Sequence, residues 1–214
     1  MPSIATEGLI LKRTNFGEAD RVVTVLTDRL GKISVVARGV RRITSRRGGN
    51  IEVLNRVKLH LFRRKNYTLT EAQSIQTFSV IKQNLNLTTA AFHVIELVDR
   101  LTVEGQVNRD LYSLVISVLQ LLEKNPRQIF IRAFEVKMLS LLGFWSTDGI
   151  QDVDLMIMKL LSDLEYYSWD QINQIEINEQ QAVALERVLR YYIERILESK
   201  LKSVTVMSKI KNNE

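Results

Sequence analysis

The sequence predicts an α+β fold in which a small β-barrel comes first and an all-helical region follows. Short runs rich in apolar and β-branched residues extend to about residue 77, and apolar residues recur at helical spacing after it. The charge changes along the chain as well, since residues 1–65 hold 15 Lys/Arg and 5 Asp/Glu, whereas residues 66–214 hold 15 and 19. We therefore predict a basic domain over residues 1–78 and a helical domain over residues 79–214.

Five runs in the first part have the composition of strands. The second and third are rich in β-branched residues, and the spacer between them ends in Gly31, which suits a hairpin-loop position with positive φ. Five short antiparallel strands in so short a stretch favour a small closed barrel, because closure removes exposed strand edges. The predicted strands are residues 5–12, 21–27, 32–37, 51–62 and 67–78.

Apolar stripes with helical periodicity follow. One stripe lies in residues 111–122, and Asn108 and Asp110 precede it as start signals. Asn125 and Pro126 predict the start of the next helix, which Gly143 ends. Because each stripe needs a partner face to be buried, we expect one helical domain. Further stripes lie in residues 91–101, 155–164 and 185–196.

The absence of cysteine excludes several classes of protein. With no cysteine, the chain has no disulfide, no thiolate nucleophile and no thiolate-held zinc or iron–sulfur site. The longest uncharged apolar stretch, residues 111–122, is too short to span a membrane. Glu7, Lys12 and Arg13 lie where a secretory signal needs apolar residues. We therefore expect a cytoplasmic protein, associated with the nucleoid if it binds DNA.

The sequence contains no pattern typical of an active site. His60 and His93 lack metal-ligand spacing and are expected in surface or packing roles. Asp148, Asp152 and Asp154 lack the ligand pattern of a calcium loop and are expected in a solvated loop between helices. Phosphate-binding glycine motifs and the nucleophile motif of α/β-hydrolases are missing as well. We therefore predict that the chain is not an enzyme and needs no cofactor.

A basic loop between the third and fourth predicted strands is the main candidate for a binding site. Residues 39–50 hold four arginines and three glycines. Arginine presents a planar fork of donors that matches phosphate, and on a small barrel this loop and the turn at residues 63–65 can flank one groove. The candidate DNA-binding residues are Arg38, Arg41, Arg42, Arg46, Arg47, Arg63, Arg64 and Lys65, and the candidates for base stacking are Phe16, Phe62 and Tyr67.

Motifs in both parts of the chain carry a family resemblance. The first part contains Gly8-Leu9-Ile10-Leu11, Phe16-Gly17-Glu18-Ala19-Asp20-Arg21, and Val36-Ala37-Arg38-Gly39-Val40-Arg41-Arg42 with Ser45-Arg46. The helical part contributes residues 96–99, 134–139 and 142–144. These segments resemble RecO, a family of bacterial recombination mediators. The resemblance implies an OB-fold followed by a helical domain, binding of single- and double-stranded DNA, and annealing of complementary strands. It also implies that the protein works with RecR to load RecA on strands covered by single-strand binding protein.

The helical part departs from the family pattern at one point. Many members of the family have a zinc site of four cysteines shortly after the Leu-Gly-Phe segment. Here residues 145–150 contain no cysteine, so the zinc module is absent and we expect no bound metal. The resemblance also implies that the acidic tail of the single-strand binding protein docks on the helical domain, in an apolar groove with a cationic rim. Arg100, Arg127 and Arg132 are the candidate rim residues.

Our interpretation is a recombination mediator whose barrel neutralises DNA phosphates and whose helical domain contacts partner proteins. The charge pattern also fits an RNA-binding or ribosome-associated adaptor with an OB-fold. A two-metal nuclease is a third alternative, since scattered carboxylates can converge in a fold. Annealing that is insensitive to EDTA indicates a mediator, metal-dependent cleavage indicates a nuclease, and neither activity indicates an adaptor.

Overall fold

The first part of the chain forms a closed β-barrel. The computed structural model describes residues 3–42, 45, 47–146 and 153–197. Its strands are β1 (Ser3–Phe16), β2 (Asp20–Thr27), β3 (Gly31–Ala37), β4 (Arg56–Arg63) and β5 (Tyr67–Gln76). They pair in the order β1-β2-β3-β5-β4, and β4 pairs back with β1. This five-stranded closed topology is that of an OB-fold, so the predicted N-terminal barrel is confirmed.

The long strand β1 closes the barrel because it pairs with two neighbours. Residues 3–9 of β1 lie beside β4, and residues 8–16 lie beside β2. A register shift between Ile10 and Lys12 allows the strand to bend between its partners. The strands share one apolar core, which includes Ile10, Val23, Val25, Ile33, Val35, Ala37, Val57, Leu59, Leu61, Leu69 and Ala72.

The pairing of β3 with β5 is short. These two parallel strands share only the pairs Val35 with Tyr67 and Val36 with Thr68. The first residues of β3 therefore have no β5 partner, and this part of the strand edge meets the chain near residue 104 instead.

Helices make up most of the remaining described residues. They are α1 (Ser79–Gln83), α2 (Leu85–Leu101), α3 (Arg109–Lys124), α4 (Gln128–Leu141), α5 (Leu155–Tyr166), α6 (Trp169–Gln174) and α7 (Glu179–Leu197). The change from strands to helices falls after Gln76, so the predicted helical region is confirmed. Ten of the fourteen residues of α4 are buried, as expected for a helix that packs against α5, α6 and α7. Within the described part of the chain, no helix is both long and apolar enough to cross a membrane.

The described residues group into two compact units. The first is drawn from Met1–Gln83 and Ile95–Ile116 and contains the barrel. The second is drawn from Asn84–Val94 and Ser117–Glu214 and contains α4 to α7. The assignment of separate roles to residues 1–78 and 79–214 stays a prediction.

The fourth strand begins later than the sequence predicts. The predicted start at residue 51 is wrong, because β4 begins at Arg56. Ile51 belongs to the barrel core and Leu54 is also buried, but Leu54 has a φ of 69°, which lies outside the range of strand residues. The N–H of Leu54 donates to the carbonyl of Ile10 (2.9 Å), and the N–H of Ile10 donates to that of Asn55 (3.0 Å). Two apolar residues that suggested a strand, Ile51 and Leu54, are therefore buried from a turn, and Ile51 contributes to the barrel core.

Two predicted helix boundaries are confirmed by their hydrogen bonds. The side chain of Asn108 accepts from the N–H of Leu111 (2.9 Å) at the start of α3. After α4, Gly143 has a φ of 74°, and its N–H donates to the carbonyl of Ser140 (3.0 Å). The left-handed glycine therefore ends the helix as predicted.

The predicted start of α4 is wrong. The helix begins at Gln128, and its N-cap residue is Arg127, whose side chain makes no cap hydrogen bond. Asn125 and Pro126 lie before the cap, and the Asn125 side chain donates to Oδ1 of Asn173 (3.0 Å) instead. A tertiary hydrogen bond has therefore taken the place of the local cap that the sequence suggested.

A buried ionic cluster lies in the second unit. Nη1 of Arg132 donates to Oε2 of Glu135 (2.8 Å), and Nε2 of His93 lies 2.6 Å from Oε1 of Glu135. Burial raises the pKa of Glu135, but the charge of Arg132 and the hydrogen bond with His93 outweigh burial and hold this pKa below the ordinary carboxyl value. The cluster therefore stabilises the fold above the pKa of an unfolded carboxyl group, and this contribution is lost as the pH falls through the folded pKa.

We expect Glu135→Ala to lower the free energy of unfolding by about 3–5 kcal/mol at neutral pH, because it leaves the buried Arg132 without its counter-charge. The control is Glu186, whose exposed carboxylate lies 4.0 Å from Arg190. Glu186→Ala should change this free energy by no more than about 0.5 kcal/mol. Urea unfolding measures both variants, and the difference between them should shrink as the solution is acidified through the folded pKa of Glu135. Equal effects at neutral pH would rule out a special role for the buried cluster.

Candidate nucleic-acid interface

The first unit has an open groove of roughly 900 Å³ on the outer surface of the barrel. Residues of β2 and β3, among them Val22, Ser34 and Val36, form its floor. Its walls come from Phe16 at the end of β1 with Asp20 at the start of β2, and from Lys65 and Asn66 in the turn between β4 and β5. In OB-folds, the face of strands 2 and 3 and the loops that join strands 1–2 and 4–5 bind oligonucleotides. The groove lies at this position of the fold.

Three of the predicted cations line the groove. Arg38 directly follows β3, whereas Arg63 ends β4 and Lys65 lies in the next turn. All three residues are exposed. The structure therefore brings two basic segments that are distant in the sequence to one surface, where their charges can act on the same phosphate chain.

Two of the three predicted stacking residues also line the groove. Phe16 is 62% exposed at the end of β1, and Tyr67 begins β5 on the other side. The guanidinium of Arg63 lies over the Tyr67 ring, 5.1 Å from its centre. Phe62 is not among the groove residues, and its ring instead lies beneath Arg64 at 5.7 Å. An exposed phenylalanine beside three cations offers a base a flat apolar surface.

The two family-like motifs of the barrel meet beside this groove. Oδ1 of Asp20 accepts from the N–H of Gly39 (2.8 Å). The main-chain N–H of Arg41 donates to the carbonyl of Ala19 (3.0 Å), and its guanidinium donates to that of Gly17 (3.1 Å). The loop after β1 and the loop after β3 therefore hold each other in place.

The side chain of Arg47 connects the basic loop to the barrel by hydrogen bonds. Its Nη1 donates to the carbonyls of Leu69 and Thr70 (3.3 Å each), and its Nη2 donates to the carbonyl of Arg38 (3.2 Å). These contacts tie the loop to β5. The guanidinium is thus directed at main-chain oxygens of the barrel.

The other predicted cations differ in their surroundings. Arg42 and Arg64 are exposed. Arg46 lies outside the described residues. The assignment of the eight basic residues to DNA binding stays a prediction, and the geometry favours Arg38, Arg63 and Lys65 within it.

Two further charged residues, which the sequence did not predict, also line the groove. Lys32 contributes from the start of β3, and Glu104 contributes from the connection between α2 and α3. Lys32 belongs to a predicted strand, so the sequence pattern predicted its secondary structure but gave no indication that it lines a groove. Nothing local in the sequence relates Glu104 to the barrel, because the pairing is long-range.

The three predicted rim arginines all have partners in the chain. In the first unit, Arg100 lies 3.7 Å from Glu96. In the second, Arg127 donates to main-chain carbonyls of Asn173 and Ile175, the latter at 2.8 Å. Arg132 is buried and paired within α4, as described above. Their role in partner binding stays a prediction.

The histidines and aspartates considered as metal ligands lie in different parts of the chain or outside the described residues. His60 is half-buried on β4, and His93 belongs to the buried cluster. Asp148 and Asp152 lie outside the described residues, and Asp154 caps α5 by accepting from the N–H of Met156 (2.9 Å). Among the described residues, no group of three or more His, Asp or Glu side chains is placed to hold a metal ion. The zinc site that the resemblance implies does not fit this chain, because the full sequence has no cysteine.

We expect Arg47→Ala to lower the free energy of unfolding by about 1–2 kcal/mol, because three hydrogen bonds from a charged donor are lost. The matched control is Arg42→Ala in the same loop, which should stay within about 0.5 kcal/mol of wild type. Urea unfolding followed by circular dichroism measures both. If the two variants were equally stable, the hydrogen bonds of Arg47 would make no measurable contribution to the free energy of unfolding.

Two family models match this chain. The model described as "Recombination protein O N terminal" matches residues 1–78. The model described as "Recombination protein O C terminal" matches residues 82–145. The matched ranges include the whole barrel and α2 to α4, and the second range ends shortly after α4.

Curated relatives called "DNA repair protein RecO" match over a similar stretch. A relative from Pelotomaculum thermopropionicum is 33% identical over 139 residues, which are 64% of this chain and 54% of the relative. One from Roseiflexus sp. is 36% identical over 141 residues, 65% of this chain and 50% of the relative. One from Dehalococcoides mccartyi is 32% identical over 165 residues, 76% of this chain and 64% of the relative. The chain thus spans about half the length of the first two relatives and less than two thirds of the third.

Proposed function

The chain belongs to the RecO family, and on that premise we propose that it acts in DNA repair by binding DNA in the groove of its barrel. The observation that carries the proposal is the groove itself, which is lined by Arg38, Arg63 and Lys65 and by the exposed Phe16. Cations along a groove neutralise the phosphates of a strand, and aromatic rings stack on its bases. The combination suits a single strand, whose bases are accessible.

The mechanism that we propose is charge neutralisation without bond making. Two complementary strands repel each other through their phosphates, and arginine and lysine contacts release condensed counterions when a strand binds. A strand whose backbone is held by Arg38, Arg63 and Lys65 meets a complementary strand with less repulsion. Annealing then follows from base pairing, and phosphate contacts leave it independent of sequence.

The proposed partners follow from the family. We propose that the chain works with RecR and with strands covered by single-strand binding protein, and that it helps to load RecA. The acidic tail of the single-strand binding protein is proposed to contact the helical part. Arg100, Arg127 and Arg132 are the residues predicted for this contact, although each already has a partner in the chain.

We expect the triple variant Arg38→Ala, Arg63→Ala, Lys65→Ala to flatten the slope of log affinity against log salt by up to roughly 2, since each phosphate contact with a single strand contributes about 0.7. The control is Lys12→Ala, Arg29→Ala, Lys58→Ala, which removes the same charge from exposed positions of the barrel outside the groove. Fluorescence anisotropy with labelled oligonucleotides at several salt concentrations measures the slope. Circular dichroism checks that both variants are folded.

A folded groove variant with the wild-type slope would show that the groove is not the DNA site. If the slope instead falls only in the double variant Arg41→Ala, Arg42→Ala, the strand lies over the neighbouring basic loop. Weakening that is nearly equal for unrelated sequences is expected from phosphate contacts.

We expect the full chain to anneal complementary oligonucleotides equally well with and without EDTA, because the proposed mechanism uses no metal. Annealing of strands precoated with single-strand binding protein should depend on the acidic tail of that protein, which tests the proposed partner separately. Gel electrophoresis of labelled strands measures both reactions. Metal-dependent cleavage would favour the nuclease alternative, and the absence of both activities would favour an RNA-binding adaptor.

A further inference from the structure

The connection between α2 and α3 places an acidic residue at one end of the groove. Glu104 forms a parallel bridge with Lys32 at the start of β3. The next residue, Gly105, donates its N–H to the carbonyl of Lys32 (2.8 Å). Glu104 is exposed and lines the groove together with Gly105. This segment is held by main-chain contacts. The carboxylate of Glu104 can therefore interact electrostatically with a ligand in the groove.

The two ends of the groove carry opposite charges. Glu104 lies beside Lys32 near the start of β3, whereas Arg38 follows its last residue. At about 3.3 Å per residue in an extended strand, the interval from Lys32 to Arg38 is roughly 20 Å. This exceeds the Debye length of about 10 Å at 0.1 M salt, so a phosphate at the Arg38 end is screened from Glu104. A phosphate at the Lys32 end is not.

The charge of Glu104 is not neutralised within the described part of the chain. None of the ion pairs among those residues includes Glu104. The ammonium of Lys32 donates to the main-chain carbonyl of Asp99 and lies 3.5 Å from the carboxylate of Asp99. Since the Lys32 side chain is only 9% exposed, its charge is directed away from the groove and toward Asp99.

We propose that Glu104 ends the path of the nucleic acid in this groove by repelling phosphates at the Lys32 end. The inference rests on the proposed DNA binding by the groove. A bound strand is then confined to the part of the groove that holds Arg38, Arg63 and Lys65. Single OB-folds cover about 4–16 nucleotides, and this arrangement places the footprint near the lower limit.

The test compares Glu104→Gln with the control Glu71→Gln in the full chain. Glutamine keeps the size of the side chain and the main-chain bridge but removes the charge. Glu71 is an exposed carboxylate on β5 outside the groove, so both variants change the net charge equally. Fluorescence anisotropy at about 0.1 M salt, where Glu104 is screened from the Arg38 end of the groove, measures the affinity for mixed-sequence single strands of about 4 and about 16 nucleotides.

We expect Glu104→Gln to raise the affinity for the longer strand by roughly two- to fivefold and to leave the affinity for the shorter strand within about 1.5-fold of wild type. Glu71→Gln should leave both affinities within about 1.5-fold of wild type. Equal gains in the two variants overturn the proposal, because they reflect net charge alone. An unchanged affinity of Glu104→Gln for the longer strand overturns it too, while DNA binding by the groove stands.

A loss of affinity in Glu104→Gln also overturns the proposal, since it indicates a carboxylate that accepts a hydrogen bond from a base. If the wild-type chain binds neither strand, the proposed function itself fails and the role of Glu104 fails with it. The two failures are therefore distinguished by the wild-type measurement.

Discussion

The incomplete pairing of β3 is the constraint on which the groove depends. Because β5 covers only the second half of the strand edge, the first residues of β3 need other partners for their main-chain groups. Gly105 supplies one through its N–H to Lys32. Gly31 makes the approach possible, since its φ is 69° and a Cβ there would overlap the carbonyl oxygen of Gln106. One glycine at a hairpin therefore permits the segment at residues 104–106 to border the groove.

The sequence predicts features that depend on local pattern and misses those that depend on tertiary contact. Alternation and β-branched residues predict the five strands, and capping residues such as Asn108 and Gly143 predict helix ends. The strand start at residue 51 is wrong because the chain turns at Leu54, which has a positive φ and donates its N–H to the carbonyl of the distant Ile10. Glu104 could not be placed from the sequence for the same reason, since its neighbour on β3 is far away in the chain.

The number of basic residues in the first part of the chain exceeds the number whose side chains are available to bind DNA. The first part of the chain is strongly basic, but several of its cations are held by internal partners. Arg56 pairs with Glu7 (2.7 Å), Arg21 pairs with Glu52 (3.2 Å), and Arg47 donates to three carbonyls. Such contacts fix side chains that would otherwise reach solvent. The position of a cation on the OB-fold is therefore more informative about DNA binding than the number of cations.

In the second unit, side-chain contacts hold the described residues that directly follow α4. Glu165 of α5 accepts hydrogen bonds from Ser140 (2.7 Å) and from the indole of Trp145 (3.0 Å). The Trp145 ring also packs against Tyr192 of α7, with 5.1 Å between ring centres, and the Tyr192 hydroxyl donates to the carbonyl of Phe144 (2.6 Å). One carboxylate and two aromatic rings thus link the end of α4 to α5 and α7. Since hydrogen bonds and ring packing need no thiolate, a chain of this family without cysteine can still stabilise the segment at the end of α4.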